Sequence, residues 1–151
     1  MIQRIQTIYL LLAVIFMLLF YIFPIAIFTT DIFAFEFFNC HITHPENLQP
    51  PLPLLPLAIL PMFSIIVSLV AIFLYKKRKP QRRLGKVNMM IVFIVIIITV
   101  FYFFKIKEFL DGSVQYGFSA IFPVLVFVML LLANKAIKKD DDLVKAADRI
   151  R

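Results

Sequence analysis

Val87-Asn-Met-Met-Ile-Val-Phe-Ile-Val-Ile-Ile-Ile-Thr-Val-Phe-Tyr-Phe-Phe104 runs for 18 residues without a charge, with Lys86 before it and Lys105 after it. A hydrocarbon core about 30 Å thick needs roughly 20 apolar residues at about 1.5 Å of rise each, and buried helices of soluble proteins rarely go so far uncharged. Outward from this stretch the pattern recurs in Gly112–Asn134 (23 residues), Asn47–Tyr75 (29) and Ile5–Thr30 (26). Hydrophobic residues make up 62% of the 151-residue chain and mean hydropathy is +0.95, whereas soluble domains hold about 45 to 50% apolar residues. The expectation is an all-α membrane protein with four transmembrane helices at about 5–28, 57–75, 87–104 and 119–134. These form one bundle over 1–134, followed by a charged cytoplasmic helical tail over 135–151. Such spans leave only short connections, with no room for a separate catalytic domain, and the expected protein is not an enzyme.

The basic residues set the orientation. Lys76, Lys77, Arg78, Lys79, Arg82, Arg83 and Lys86 crowd the second connection, six more lie from Lys135 to Arg151, and Arg4 precedes the first span. Of 16 Lys and Arg, 14 thus fall on one side of a four-span chain. By the positive-inside rule both termini and the second connection are cytoplasmic. The net charge of +7 then serves topology and contact with anionic headgroups, and no nucleic-acid partner is expected. The run after Arg4 exceeds the h-region of a secretory signal, about 7 to 15 residues, and no small-x-small cleavage pair follows it, so it reads as a retained first helix. Cys40 is the only cysteine, which excludes an intrachain disulfide.

Proline punctuates the spans. Pro24 loosens the outer end of the first helix, Pro50, Pro51, Pro53 and Pro56 make an extended entry to the second, and Pro61 kinks it. Ser64, Ser68 and Ala71 fall at i, i+4 and i+7 on one face, the small-residue pattern that lets helix backbones approach. Packing inside the bundle is the expectation for that face, and a homodimer seam is the alternative. Tyr75, Tyr102 and Tyr116 sit near span boundaries, as interfacial aromatics do.

No Asp, Glu, Lys, Arg or His lies inside any span. Proton relays, ion-coupled transport and haem ligation draw on such residues at membrane depth, so these classes are set aside. The outer loop holds one potential metal cluster, Cys40, His41, His44 and Glu46. Its spacing matches no closed four-ligand pattern, and neither a metal nor any cofactor is expected. Nucleophilic catalysis by Cys40 with His41 or His44 lacks a visible oxyanion-binding element. Phe33, Phe35 and Phe37 alternate onto one face of a short outer strand, read as pairing with Val114–Tyr116 in a small β-hairpin-like element; the functional alternative is an aromatic surface for a partner. In the tail, Asp140, Asp141 and Asp142 suit a helix N-terminus, and Leu143, Ala147 and Ile150 then form the apolar stripe of a short amphipathic helix. That stripe docks on the membrane face or on a partner.

The chain ends carry a resemblance. Met1-Ile-Gln-Arg-Ile-Gln-Thr-Ile-Tyr-Leu-Leu-Leu-Ala13, the Tyr116-Gly117 pair with Pro123, Leu132-Ala-Asn-Lys-Ala-Ile137 and Asp142-Leu-Val-Lys-Ala-Ala-Asp-Arg-Ile-Arg151 resemble the Bacteroidota membrane proteins grouped as domain-of-unknown-function family 4293. The resemblance implies a four-helix protein of the bacterial inner membrane and brings no catalytic residue with it. The functional expectation is a non-enzymatic accessory or scaffold subunit of an inner-membrane protein complex. Its expected partners are membrane lipids and other integral membrane proteins. The alternative is a small transporter, channel or lipid-binding membrane protein.

Overall fold

A computed structural model describes residues 2–29, 34–40, 42–43, 53–76, 78–110 and 113–150. Four helices, α1 (Ile2–Ile22), α2 (Leu55–Phe73), α3 (Arg78–Leu110) and α4 (Phe122–Ile150), carry four short strands at one end: β1 (Ala26–Thr29), β2 (Ala34–Phe37), β3 (Ile42–Thr43) and β4 (Ser113–Tyr116). All four helices are long and apolar enough to cross a membrane. The sheet marks one end of the bundle, and the α2–α3 connection marks the other with the end of α4.

Each helix buries a seam whose spacing alternates four and three. On α1 it is Gln6, Leu10, Ala13, Met17 and Phe20; on α2, Leu57, Pro61, Ser64, Ser68 and Ala71. On α3 it is Gln81, Gly85, Asn88, Val92, Val95, Thr99, Tyr102 and Ile106, and on α4 Val126, Leu130, Ala133, Ile137 and Asp140. A 3.5-residue repeat keeps one stripe of each helix facing its neighbours, as in left-handed supercoiled bundles. The opposite faces are as apolar as the seams: Ile8, Leu11, Ile15, Leu18 and Ile22 on α1 are all exposed. An exposed apolar surface on that scale suits lipid and not water.

The first helix is shorter than its uncharged stretch. Pro24 has no amide to offer the carbonyl four residues back, and it disfavours helical backbone at Phe23. The last helical bond runs from Phe23 N–H to the Leu19 carbonyl at 3.1 Å. The chain then turns extended, and residues 26–28, read from the sequence as the end of the first helix, form β1 together with Thr29. This strand corrects the expected pairing. The sheet order is β3-β2-β1-β4, with β1 antiparallel to β2 (Ala26 opposite Phe37, Thr29 opposite Ala34) and to β4 (Ala26 opposite Tyr116, Thr29 opposite Ser113). The strand carrying the aromatic alternation and the Val114–Tyr116 strand are therefore not neighbours; β1 lies between them. Ala26, Phe28 and Phe37 turn inward, and Phe28 packs on Phe103 of α3 at 5.8 Å between ring centres.

Two other helices outrun their expected ranges. α3 spans 33 residues, about 50 Å at 1.5 Å per residue, longer than a 30 Å core requires. α4 runs unbroken through the 134/135 boundary to Ile150. Asp140–Asp142 therefore lie inside a helix and do not cap the start of a new one. Asp140 occupies a seam position and is buried, so packing between helices continues beyond the last uncharged residue.

Candidate functional site

The residues singled out by sequence divide three ways. Phe33, His41, His44 and Glu46 lie outside the described residues, while Cys40 is described and exposed. Among the described residues no three His, Cys, Asp or Glu side chains come together. Phe37 is fully buried beneath the sheet, which removes it as a partner contact; Phe35 holds its place in β2 opposite Phe28. Ser64, Ser68 and Ala71 are buried between helices, as the intramolecular reading expects. Leu143 is exposed, and Ala147 and Ile150 continue the same helix.

The small face of α2 turns out to serve a layer of amides near the end away from the sheet. Asn88 donates its Nδ2 hydrogen to Ser68 Oγ at 2.7 Å, and Gln81 Nε2 donates to the Ala71 carbonyl at 3.0 Å. Across the bundle Gln6 Nε2 donates to the Ala136 carbonyl at 3.3 Å. Asn134 Nδ2 faces Met89 Sδ at 3.1 Å, and its Oδ1 lies against Gly85. A Cβ on Gly85 would fall 2.2 Å from Asn134 Oδ1, so a larger residue there displaces that side chain. Interhelical amide bonds of this kind fix which turn of one helix faces which turn of the next. The sequence signal was available but unread: amides and a glycine at 81, 85 and 88 follow the seam spacing.

The sheet end is pinned to α2 by three donors. Pro61 has no N–H, so the Leu57 carbonyl lacks its helical partner; Asn39, fully buried, supplies Nδ2–H at 3.3 Å. Tyr21 donates its hydroxyl to the Ala58 carbonyl, and Tyr102 donates to the Pro53 carbonyl at 2.7 Å. Gly117 closes the other side: its N–H reaches the Ile25 carbonyl at 2.9 Å, and a Cβ on it would meet the Pro24 carbonyl oxygen at 2.2 Å.

The described residues also line surface depressions. A groove of about 330 Å³ opens between α3 and the start of α4, just below the sheet. Toward the far end of α4, a shallow depression is framed by Lys135, Lys138, Lys139, Asp142 and Leu143.

The chain belongs to the family described as domain of unknown function (DUF4293), which it matches over residues 2–150. No curated protein gives a significant match.

Proposed function

We propose that this chain is a non-enzymatic accessory or scaffold subunit of a protein complex in the bacterial inner membrane, with both termini and the α2–α3 connection in the cytoplasm and the sheet outside. One observation supports the scaffold reading above others: α4 does not stop where its apolar span stops. From Asn134 to Ile150 it continues as one helix, an arm about 24 Å long at 1.5 Å per residue. Its first turns are anchored, since Ile137 and Asp140 are buried and the Ala136 carbonyl accepts the Gln6 side chain. Beyond them Leu143 stands 49% exposed beside Lys139 and Asp142. A helix held at its base that presents an apolar side chain among charges is suited to receive another protein. The orientation rests on the 14 basic residues that share one side.

Affinity purification of the full chain from native membranes in a gentle detergent tests this. A co-purifying integral membrane protein is expected with the parent chain and lost with Leu143→Asp, while Asp142→Asn retains it. Loss with Asp142→Asn and retention with Leu143→Asp would mean the arm acts through charge, and the apolar-contact reading would fall.

A further inference from the structure

The groove below the sheet has the build of a lipid site. Its floor is Ile25, fully buried at the α1–β1 junction, with Pro123 behind it; its walls are Ile96, Val100 and Phe104 of α3 and Ala120 and Val124 at the start of α4. Beside the groove the chain enters α4 through a 3-10 turn, Phe118–Ile121, where Ala120 offers only a methyl group to the lining. Thr99, a polar side chain among the lining residues, donates its hydroxyl to the Val95 carbonyl at 2.8 Å, so its proton is satisfied within its own helix. About 330 Å³ lies at the lower end of ligand-pocket sizes, roughly 300 to 1,000 Å³.

One end of this apolar groove carries a cation. Lys107 lines it one turn beyond Phe104, at the sheet end of α3, next to Tyr116, which stacks on Phe103 at 5.5 Å. Two residues earlier Lys105 is engaged by Glu108 at 2.9 Å, whereas Lys107 is exposed and has no ion pair among the described residues. A long lysine stem lies along apolar surface while its ammonium stays at the polar boundary. An apolar trough inside the span with an ammonium at its rim complements an acyl chain whose headgroup is negatively charged.

We propose that the α3–α4 groove binds one acyl chain of an anionic membrane phospholipid, with Lys107 holding the phosphate. The proposal rests on the membrane reading above and goes beyond the scaffold role. In a bilayer the occupant must come sideways from the leaflet, and lipid is the one apolar species always present there. The attraction of one basic residue near a membrane surface corresponds to an enrichment of about fivefold.

The chain has no tryptophan, which gives a clean test. Phe104→Trp places a reporter in the groove, and Phe63→Trp places one on the exposed face of α2; both parent residues are exposed, so neither change burdens the core. Each full-length variant is reconstituted in phosphatidylcholine vesicles holding a small fraction of phosphatidylglycerol brominated along its acyl chains. Quenching of Phe104→Trp should correspond to about fivefold more brominated lipid than the bulk fraction, and quenching of Phe63→Trp to the bulk fraction itself. Adding Lys107→Glu should bring the groove reporter down to bulk, while Lys105→Gln should leave it enriched. Equal quenching by brominated phosphatidylcholine, or an enrichment that survives Lys107→Glu, would overturn the site. Bulk quenching at both reporters would likewise overturn the site, since the groove would then take lipid without preference for the anionic headgroup. If neither reporter is quenched by any brominated lipid, the membrane reading fails as well.

Discussion

At the scale of single residues, Asn39 and Pro61 explain one another. Pro61 deprives the Leu57 carbonyl of its helical donor, and a bare carbonyl away from water is costly, which is why proline in such helices needs help from a neighbour. Asn39 gives that help from the segment following β2. Asn39→Ala should therefore destabilise the detergent-solubilised protein by about 1 to 3 kcal/mol. In a Pro61→Ala background, where residue 61 regains its N–H, the same change should cost about 1 kcal/mol less. Thermal unfolding of the four chains measures the coupling, and strict additivity would mean that Asn39 does not serve Leu57. Pro61 was legible in the sequence as a kink. Its partner was not, because nothing local links a loop asparagine to a carbonyl 18 residues later.

At the scale of elements, Gly85 of α3 leaves room for the Asn134 side chain of α4, which a Cβ there would meet at 2.2 Å. Gly85→Ala should push the Asn134 side chain out of place and lower stability by about 1 to 3 kcal/mol. Truncating the obstacle should relieve it: Asn134→Ala combined with Gly85→Ala should be at least about 1 kcal/mol better than the sum of the two single changes. No coupling in that cycle would show that the helices are kept apart elsewhere. Helix identity was readable from charge-free length alone, but helix ends were not. β1 is as apolar as the span before it, and only Pro24 hinted that the helix stops; the fate of residues 26–29 was decided by distant strands. Likewise the charges after Asn134 suggested a separate tail, whereas Ile137 and Asp140 keep the seam spacing and carry the helix on. The inward face of α2 could be read because Ser64, Ser68 and Ala71 are small. On α1, inward and outward stripes are both apolar, so hydrophobicity could not tell them apart.

At the scale of the whole molecule, the proposed orientation rests on the distribution of basic residues. Reporter fusions after Glu46, Gln81 and Arg151 should read outside, inside and inside; an exported reporter at Arg151 would sink the four-span topology. The groove and its Lys107 escaped the sequence reading because they join α3 to the start of α4 through a gap, and gaps have no sequence signature. The sheet order has a consequence for synthesis. β1 ends up flanked on both sides, yet Thr29 and the Ser113 that closes on it are 84 residues apart. At about 5 to 20 residues per second, translation needs roughly 4 to 17 seconds to cover that distance. Through that interval the nascent β1–β2 hairpin has an open edge, and a hairpin of that size is barely stable alone. The cap can be completed only after α2 and α3 have been inserted, so arrival of β4 is a late event in biogenesis that reports whether the intervening helices were threaded correctly.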